Sequence, residues 1–175
     1  MFARDANSTP RRLALTPAYH DGDEPTLAET EGPFFKVRSP QRSDLRESGI
    51  SGRPVELSGY VLTRSCRPLA GALVDLWHAD SKGDYDNNGF HLRGHVFTDD
   101  QGRFVFRTIM PSLYPGRTRH YHVKIQAPGQ KSVLTTQFYF PDEKQNRTDS
   151  LFRPELVMQT AEIEGTLLAG FDVVL

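Results

Sequence analysis

Residues 113–124 read Leu113-Tyr114-Pro115-Gly116-Arg117-Thr118-Arg119-His120-Tyr121-His122-Val123-Lys124. The continuation Val123-Lys124-Ile125 favours a strand over a loop or helix. On a strand, residues i and i+2 project from the same face, so His120 and His122 aim at one point while Tyr121 points the other way. Pro115-Gly116 marks a turn, which lets Tyr114 fold back toward the histidine pair. Two neutral imidazoles and a phenol make a partial metal shell. Read alone, the His-x-His pair serves equally as a strand end with one buried, hydrogen-bonded histidine and one wetted one.

Working outward, short β-type runs separated by turns fill the chain from Val55 onward. They cover Val55–Thr63, Ala72–His78, His91–Thr98, Arg103–Ile109, Arg119–Gln126, Val133–Phe140 and a last run near Leu167–Leu175. Arg67-Pro68-Leu69-Ala70-Gly71 separates the first two, and Asp99-Asp100-Gln101-Gly102 joins the third to the fourth. One short helical turn is expected within Asp149–Met158, and no long amphipathic helix is predicted. Many short strands between turns predict an all-β fold, an antiparallel β-sandwich with long connecting loops and little helix. Upstream, residues 1–25 are polar and broken by Pro10 and Pro17, and are expected to form a flexible arm. Residues 26–175 are then expected to make a single domain. Within it, Phe34 and Phe35 are expected to anchor their segment on the body, and Ser39–Arg53 reads as a long connection.

Composition narrows the function classes. The formal charge is 21 − 22 = −1, so no global basic field argues for nucleic acid or an anionic membrane. Cys66 is the single cysteine, which excludes an internal disulfide framework and a cysteine-rich zinc site; it is expected to be buried or half-buried near a turn. No apolar run reaches the roughly 18 residues of a membrane span. Arg11-Arg12-Leu13-Ala14-Leu15 makes a poor leader, so the expectation is a cytoplasmic protein, with a processed secreted form as the alternative.

A polar, glycine-rich segment from Trp77 to Gly89 places Tyr85 on a loop. Within it, Asp84-x-Asp86-x-Asn88-Gly89 matches the start of a calcium loop, but the twelfth position is His95 rather than glutamate and flanking helices are absent. Calcium is therefore set aside. His78, His91 and His95 match no motif and are assigned to structure or surface.

Five ordered pieces together resemble the intradiol ring-cleavage dioxygenases, the non-haem iron(III) family of protocatechuate 3,4-dioxygenase and the catechol 1,2-dioxygenases. They are Glu31-Gly32-Pro33-Phe34-Phe35; Pro68 through Trp77 leading by Gly83 to Tyr85; Thr98-Asp99-Asp100-Gln101-Gly102-Arg103-Phe104; Pro111 through Tyr114-Pro115 to Arg117-x-x-His120-x-His122; and Thr136-Gln137-Phe138-Tyr139-Phe140-Pro141. The resemblance implies one Fe(III) per chain, held by Tyr85, Tyr114, His120 and His122, with water or hydroxide completing the shell. Ligand chemistry agrees: phenolates are hard anionic donors suited to Fe(III), whereas tyrosine is not among the usual zinc ligands. It further implies that a catechol and O2 react, with cleavage between the two hydroxyl-bearing carbons to a muconate-type diacid, a step of aromatic-ring catabolism. Tyr114 would leave the metal and take a substrate proton, and His122 would be the other axial ligand. Arg117 would stabilise charge on the substrate beside the ring, and Gln137 would also contact substrate. On the family's spacing Arg117 fits this role and Arg119 does not.

Two departures mark this chain. The Tyr114–His120 interval is short beside that of protocatechuate 3,4-dioxygenase, and no helical segment of the kind that dimerises catechol 1,2-dioxygenases precedes the strands. A more open site is expected, with the identity of the catechol and homo-oligomerisation left open. A rival reading is a non-catalytic β-sandwich binding or spacer module of the carboxypeptidase regulatory type, which shares the Gly59–Leu62, Pro68–Val74 and Asp99–Phe104 texture. That reading gives no reason for two tyrosines, the His-x-His pair and the arginine at these intervals.

Overall fold

Residues 24–175 are described by a computed structural model, so the arm expected over residues 1–25 lies, but for its last two residues, outside them. Among the described residues the strands run β1 (Pro54–Leu62), β2 (Leu73–Trp77), β3 (Arg93–Phe97), β4 (Arg103–Ile109), β5 (His120–Gln126), β6 (Leu134–Tyr139), β7 (Gln159–Ile163), β8 (Thr166–Gly170) and β9 (Val173–Val174). Short 3-10 turns occupy Lys144–Arg147 and Pro154–Leu156, the second inside the window predicted for a helical turn.

The strands form a β-sandwich of two sheets. One has the order β3-β2-β5-β6 and is antiparallel throughout. The other has the order β4-β1-β8-β7, with β9 also on β1; there β1 runs antiparallel to β4 but parallel to β8 and β9. The antiparallel expectation is amended for this second sheet. The run expected near Leu167–Leu175 resolves into β8 and β9, preceded by an unpredicted partner, β7. β7 pairs with β8 through a two-residue turn, Glu164-Gly165, with φ of 49° and 78°. The Asp99–Gly102 turn joins β3 to β4, which lie in different sheets, so it is a corner between the layers.

Alternation along β5 decides where the chemistry sits. Tyr121, Val123 and Ile125 are each 0% exposed and face the second sheet, and the Tyr121 hydroxyl donates to the Ile109 carbonyl of β4 at 3.0 Å. They pack with Leu57, Val74, Leu76 and Phe106 in one core, where each large apolar side chain contributes about 1.5–3 kcal/mol on burial. His120 and His122 consequently project from the outer face of the four-stranded sheet.

That outer face is covered by residues 24–42, which run over it as a strap. The strap is tied down where Thr26 N–H donates to the Val174 carbonyl, Glu29 N–H to the Thr135 carbonyl and Arg42 N–H to the His95 carbonyl, at 2.8–3.0 Å. Phe35 packs against Trp77 of β2, as an anchor should. Ser39–Arg53 is more than a connection. Leu45 within it is fully buried and its N–H donates to the Arg107 carbonyl, so the segment continues from β3 across to β4. Cys66 is half-buried in the turn after β1.

Candidate metal centre

His120 is fixed from one side. Its Nδ1 lies 2.6 Å from the Thr118 carbonyl, which requires Nδ1 to carry the proton and leaves Nε2 as a bare lone pair when the ring is neutral. His122 is stacked on Trp77 with centroids 5.0 Å apart and planes 8° apart, and Gly32 of the strap lies at its edge. The two Nε2 atoms converge to 3.1 Å. Burial lowers the pKa of His120 to about 4, with Arg117 adding to the effect. Burial, then His120 and Arg117, take His122 well below the usual histidine range. Both rings are thus neutral at physiological pH, the ligating form. His122 Nδ1 has no hydrogen-bond partner among the described residues.

Tyr85 and Tyr114 arrive on loops after β2 and β4, tied together where Ser112 N–H donates to the Asp80 carbonyl at 2.8 Å. Phe34 of the strap stacks on Tyr85 at 4.4 Å and meets Tyr114 edge-on at 5.6 Å. The Tyr85 ring lies 6.0 Å from each of Tyr114 and His122 between centroids. Burial pushes the Tyr85 phenol up to about 12, against the opposing pull of Arg117 and Arg93. Ionising it at neutral pH calls for a cation bound at its oxygen. Among the described residues no three His, Cys, Asp or Glu side chains group as a metal site; the side chains beside the histidine pair that carry oxygen donors include the phenols of Tyr85 and Tyr114. That donor set fits a hard ferric ion.

Arg117 reaches the same region from the turn before β5. Its Nε donates to Asp149 at 2.9 Å and Nη2 to Gln137 Oε1 at 2.5 Å. Arg119, its competitor in the sequence, is committed elsewhere, to the Pro111 carbonyl and Glu143. Gln137 sits opposite His122 in the β5–β6 register and is fully buried. Its Oε1 accepts from Arg117 and Tyr139, and its Nε2 donates to the Thr30 carbonyl. In this structure Gln137 therefore touches the arginine that faces the site.

A family model described as dioxygenase matches residues 30–175. The chain belongs to the intradiol dioxygenases. This is a family of non-haem iron enzymes. The chain is 32% identical over 180 residues to 6-chlorohydroxyquinol 1,2-dioxygenase of Cupriavidus pinatubonensis, covering 87% of this chain and 64% of the relative. It is 29% identical to chlorocatechol 1,2-dioxygenase of Pseudomonas sp. strain P51, covering 88% and 70%. Its fold superposes with a TM-score of 0.84 on the dioxygenase domain of a dioxygenase carbohydrate-binding protein fusion from Streptomyces sp. SirexAA-E, 53% identical, covering 87% of this chain and 98% of that one. The chain thus spans under two thirds of the length of the chlorohydroxyquinol enzyme it matches.

Within this intradiol dioxygenase fold, the remaining residues separate cleanly. His78 is buried between the Ala79 carbonyl and Thr108, and His91 pairs on the surface with Glu47 and Asp86. His95 bonds Ser39 at the edge of the strap. The Asp86 carboxylate accepts from the amides of Asn88, Gly89 and His91, so it closes its own loop, the task that the calcium-like spacing reflects. Sequence reasoning passed over Arg93 and Asp149. Arg93 is buried, donating to the Phe34 and Asp86 carbonyls, and so ties the strap to the Tyr85 loop. An Arg opening a strand beside Gly94 carries no signal of that role. Asp149 lies in a loop of turn-forming residues, where an aspartate is ordinary.

Proposed function

We propose that the chain is an iron(III) intradiol dioxygenase, with one iron per chain held by Tyr85, Tyr114, His120 and His122. The observation that carries this reading is the convergence of two neutral imidazole Nε2 atoms at 3.1 Å beside two phenols and a half-buried, doubly anchored guanidinium. The substrate is a catechol-type ring, cleaved with O2 between its hydroxyl-bearing carbons to a muconate-type diacid; the names of the relatives, chlorohydroxyquinol and chlorocatechol 1,2-dioxygenase, support this class.

When bound, the ferric ion supplies the Lewis acidity and electron acceptance that make a catecholate reactive toward O2. The chain supplies the rest. His120 and His122 donate lone pairs without releasing protons, since burial already keeps them neutral. Tyr114 is half-buried on a turn, and as the phenolate that would hold the metal its oxygen would take a proton from the incoming catechol and become the neutral phenol. Arg117 holds a fixed positive charge toward the ring, set before the reaction begins, which is the arrangement that lowers a charged transition state most. Phe34 and Trp77 exclude water from the faces of Tyr85 and His122.

The test is a visible spectrum of protein loaded with iron, with iron counted and oxygen uptake followed on catechol, hydroxyquinol and chlorocatechol. A red-brown tyrosinate band at one iron per chain that shifts when catechol is added, with a muconate-type product, is expected. A protein that stays colourless after iron loading and consumes no oxygen refutes the reading.

A further inference from the structure

Asp149 joins the two halves of the site's polar frame. Its side chain is 1% exposed. One oxygen, Oδ2, accepts from Arg117 Nε at 2.9 Å and from Thr118 N–H at 2.8 Å; the other accepts from Leu151 N–H at 2.9 Å. A carboxylate buried this deeply is costly unless it is paired and hydrogen-bonded. Here burial opposes ionisation, and the Thr118 and Leu151 amides with Arg117 outweigh it, holding the carboxyl below its usual range.

The residue is itself anchored. Asp149 N–H donates to the Gln145 carbonyl at 2.9 Å, within the Lys144–Arg147 turn. Asn146 of that turn accepts from the Thr118 hydroxyl at 2.6 Å and donates to the Phe140 carbonyl at 3.0 Å. Thr118, fully buried, is thereby gripped through its amide by Asp149 and through its side chain by Asn146. Its carbonyl is the one that receives His120 Nδ1–H. One carboxylate therefore reaches the cation directly and the imidazole through a single residue of backbone.

We propose that Asp149 is a positioning residue: it fixes the Arg117 guanidinium at the ring and, through Thr118, the direction of His120 Nε2. The inference rests on the dioxygenase reading above. With Asp149 and Gln137 both in place, the guanidinium is held at two nitrogens; without Asp149 it is held at Nη2 alone, by Gln137 and by the Tyr139 hydroxyl at 3.5 Å, and is free to pivot there.

The experiment compares the full-length parent, Asp149→Asn, Arg117→Ala and the double variant. Metal-free, 15N-labelled protein reports the geometry. In the parent the Arg117 Nε–H is slow to exchange at neutral pH and the Thr118 amide is shifted downfield; in Asp149→Asn the first is lost and the second moves. In iron-loaded protein, Asp149→Asn lowers kcat on the order of tenfold or more with a smaller change in KM, as displacement of a preorganised charge does. That loss disappears in the Arg117→Ala background, because the residue acts through the guanidinium. Iron affinity still falls in the double variant, because the His120 arm does not pass through Arg117. A kcat loss that multiplies with Arg117→Ala, or a parent whose Arg117 Nε–H exchanges like an exposed arginine, overturns the proposal; the latter holds even if the variants fail to fold. A parent that neither colours with iron nor cleaves a catechol overturns the dioxygenase reading instead, so the two failures are separate.

Discussion

Gly32 gives the sharpest test of how the strap shapes the metal centre. It has φ of +69°, and a Cβ built on it would lie 3.3 Å from His122 Cε1 and 3.8 Å from Nε2. An L side chain in that backbone region costs about 1–2 kcal/mol. Carbon pairs settle at about 3.5–4.0 Å, so in Gly32→Ala the imidazole must retreat by a few tenths of an ångström. Trp77, stacked on the ring, limits that retreat. Metal–ligand distances tolerate only about 0.2 Å, and disturbing what supports a ligand weakens metal affinity by roughly 10–100-fold. Gly165→Ala is the control: it has φ of +78° but meets nothing within 4 Å, in the β7–β8 turn. Both variants should melt about 2–8 °C below the parent, at about 2–4 °C per kcal/mol for a chain of this size. Only Gly32→Ala should lose iron to a competing chelator, followed through the visible band. If both hold iron like the parent, or both lose it equally, the contact between Gly32 and His122 does not shape the site.

Tyr85→Phe and His122→Ala should lose the visible band or the iron, whereas Arg117→Ala should keep both and lose kcat on the order of 10²–10³-fold; parental turnover in all three refutes the site assignment. The Asp86 carboxyl is held at about 2, chiefly by the Gly89 amide against the cost of burial. Its folded pKa lies below the ordinary 3.8, so the stability it contributes is present above about pH 4 and disappears as pH falls toward 2. Asp86→Asn should therefore cost on the order of 1 kcal/mol at pH 7, after allowance for a side chain 19% exposed, and nothing near pH 2, read from denaturant unfolding; calcium should leave the parent's melting unchanged. His78 is held at about 4 by burial, opposed by the Ala79 carbonyl. Its neutral form is stable above about pH 6.5, and each unit of acid from there toward 4 should remove up to about 1.4 kcal/mol. His78→Gln should flatten that slope in metal-free protein; an unchanged slope would show that His78 does not titrate with unfolding.

Period-two alternation made much of the fold legible. Arg103–Ile109 coincides with β4, and the outward face of His120 and His122 against the inward Tyr121 follows from the pleat alone. β7 escaped because Gln159–Ile163 is a polar edge strand whose residues are half-buried or exposed, so its alternation carries no apolar signal. The parallel pairing of β1 with β8 and β9 is likewise set by contacts between distant segments, which local propensity does not encode. At the site, the side chains that bear chemistry were visible as residue types at telling intervals, and the structure brings Tyr85, Tyr114, His120 and His122 into one aromatic nest. Their supports were not visible. Asp149 and Arg93 act on backbone amides and carbonyls, and nothing in a residue's type announces which peptide group it will meet.

The strap also fixes a calendar for the nascent chain. The strap leaves the ribosome among the first parts of the described domain; Arg93 can tie it at Phe34, yet its bonds at Glu29 and Thr26 wait for Thr135 and Val174. Thr26 and Val174, which meet at one end of the strap, are 148 residues apart. At about 5–20 residues per second, that interval is roughly seven to thirty seconds of synthesis. During it the two histidines emerge before both ends of the strap are tied, so on the proposed assignment a chain halted before Thr135 should hold iron less tightly than the whole domain. On that assignment, secure loading would wait until the polypeptide can close over what it takes up.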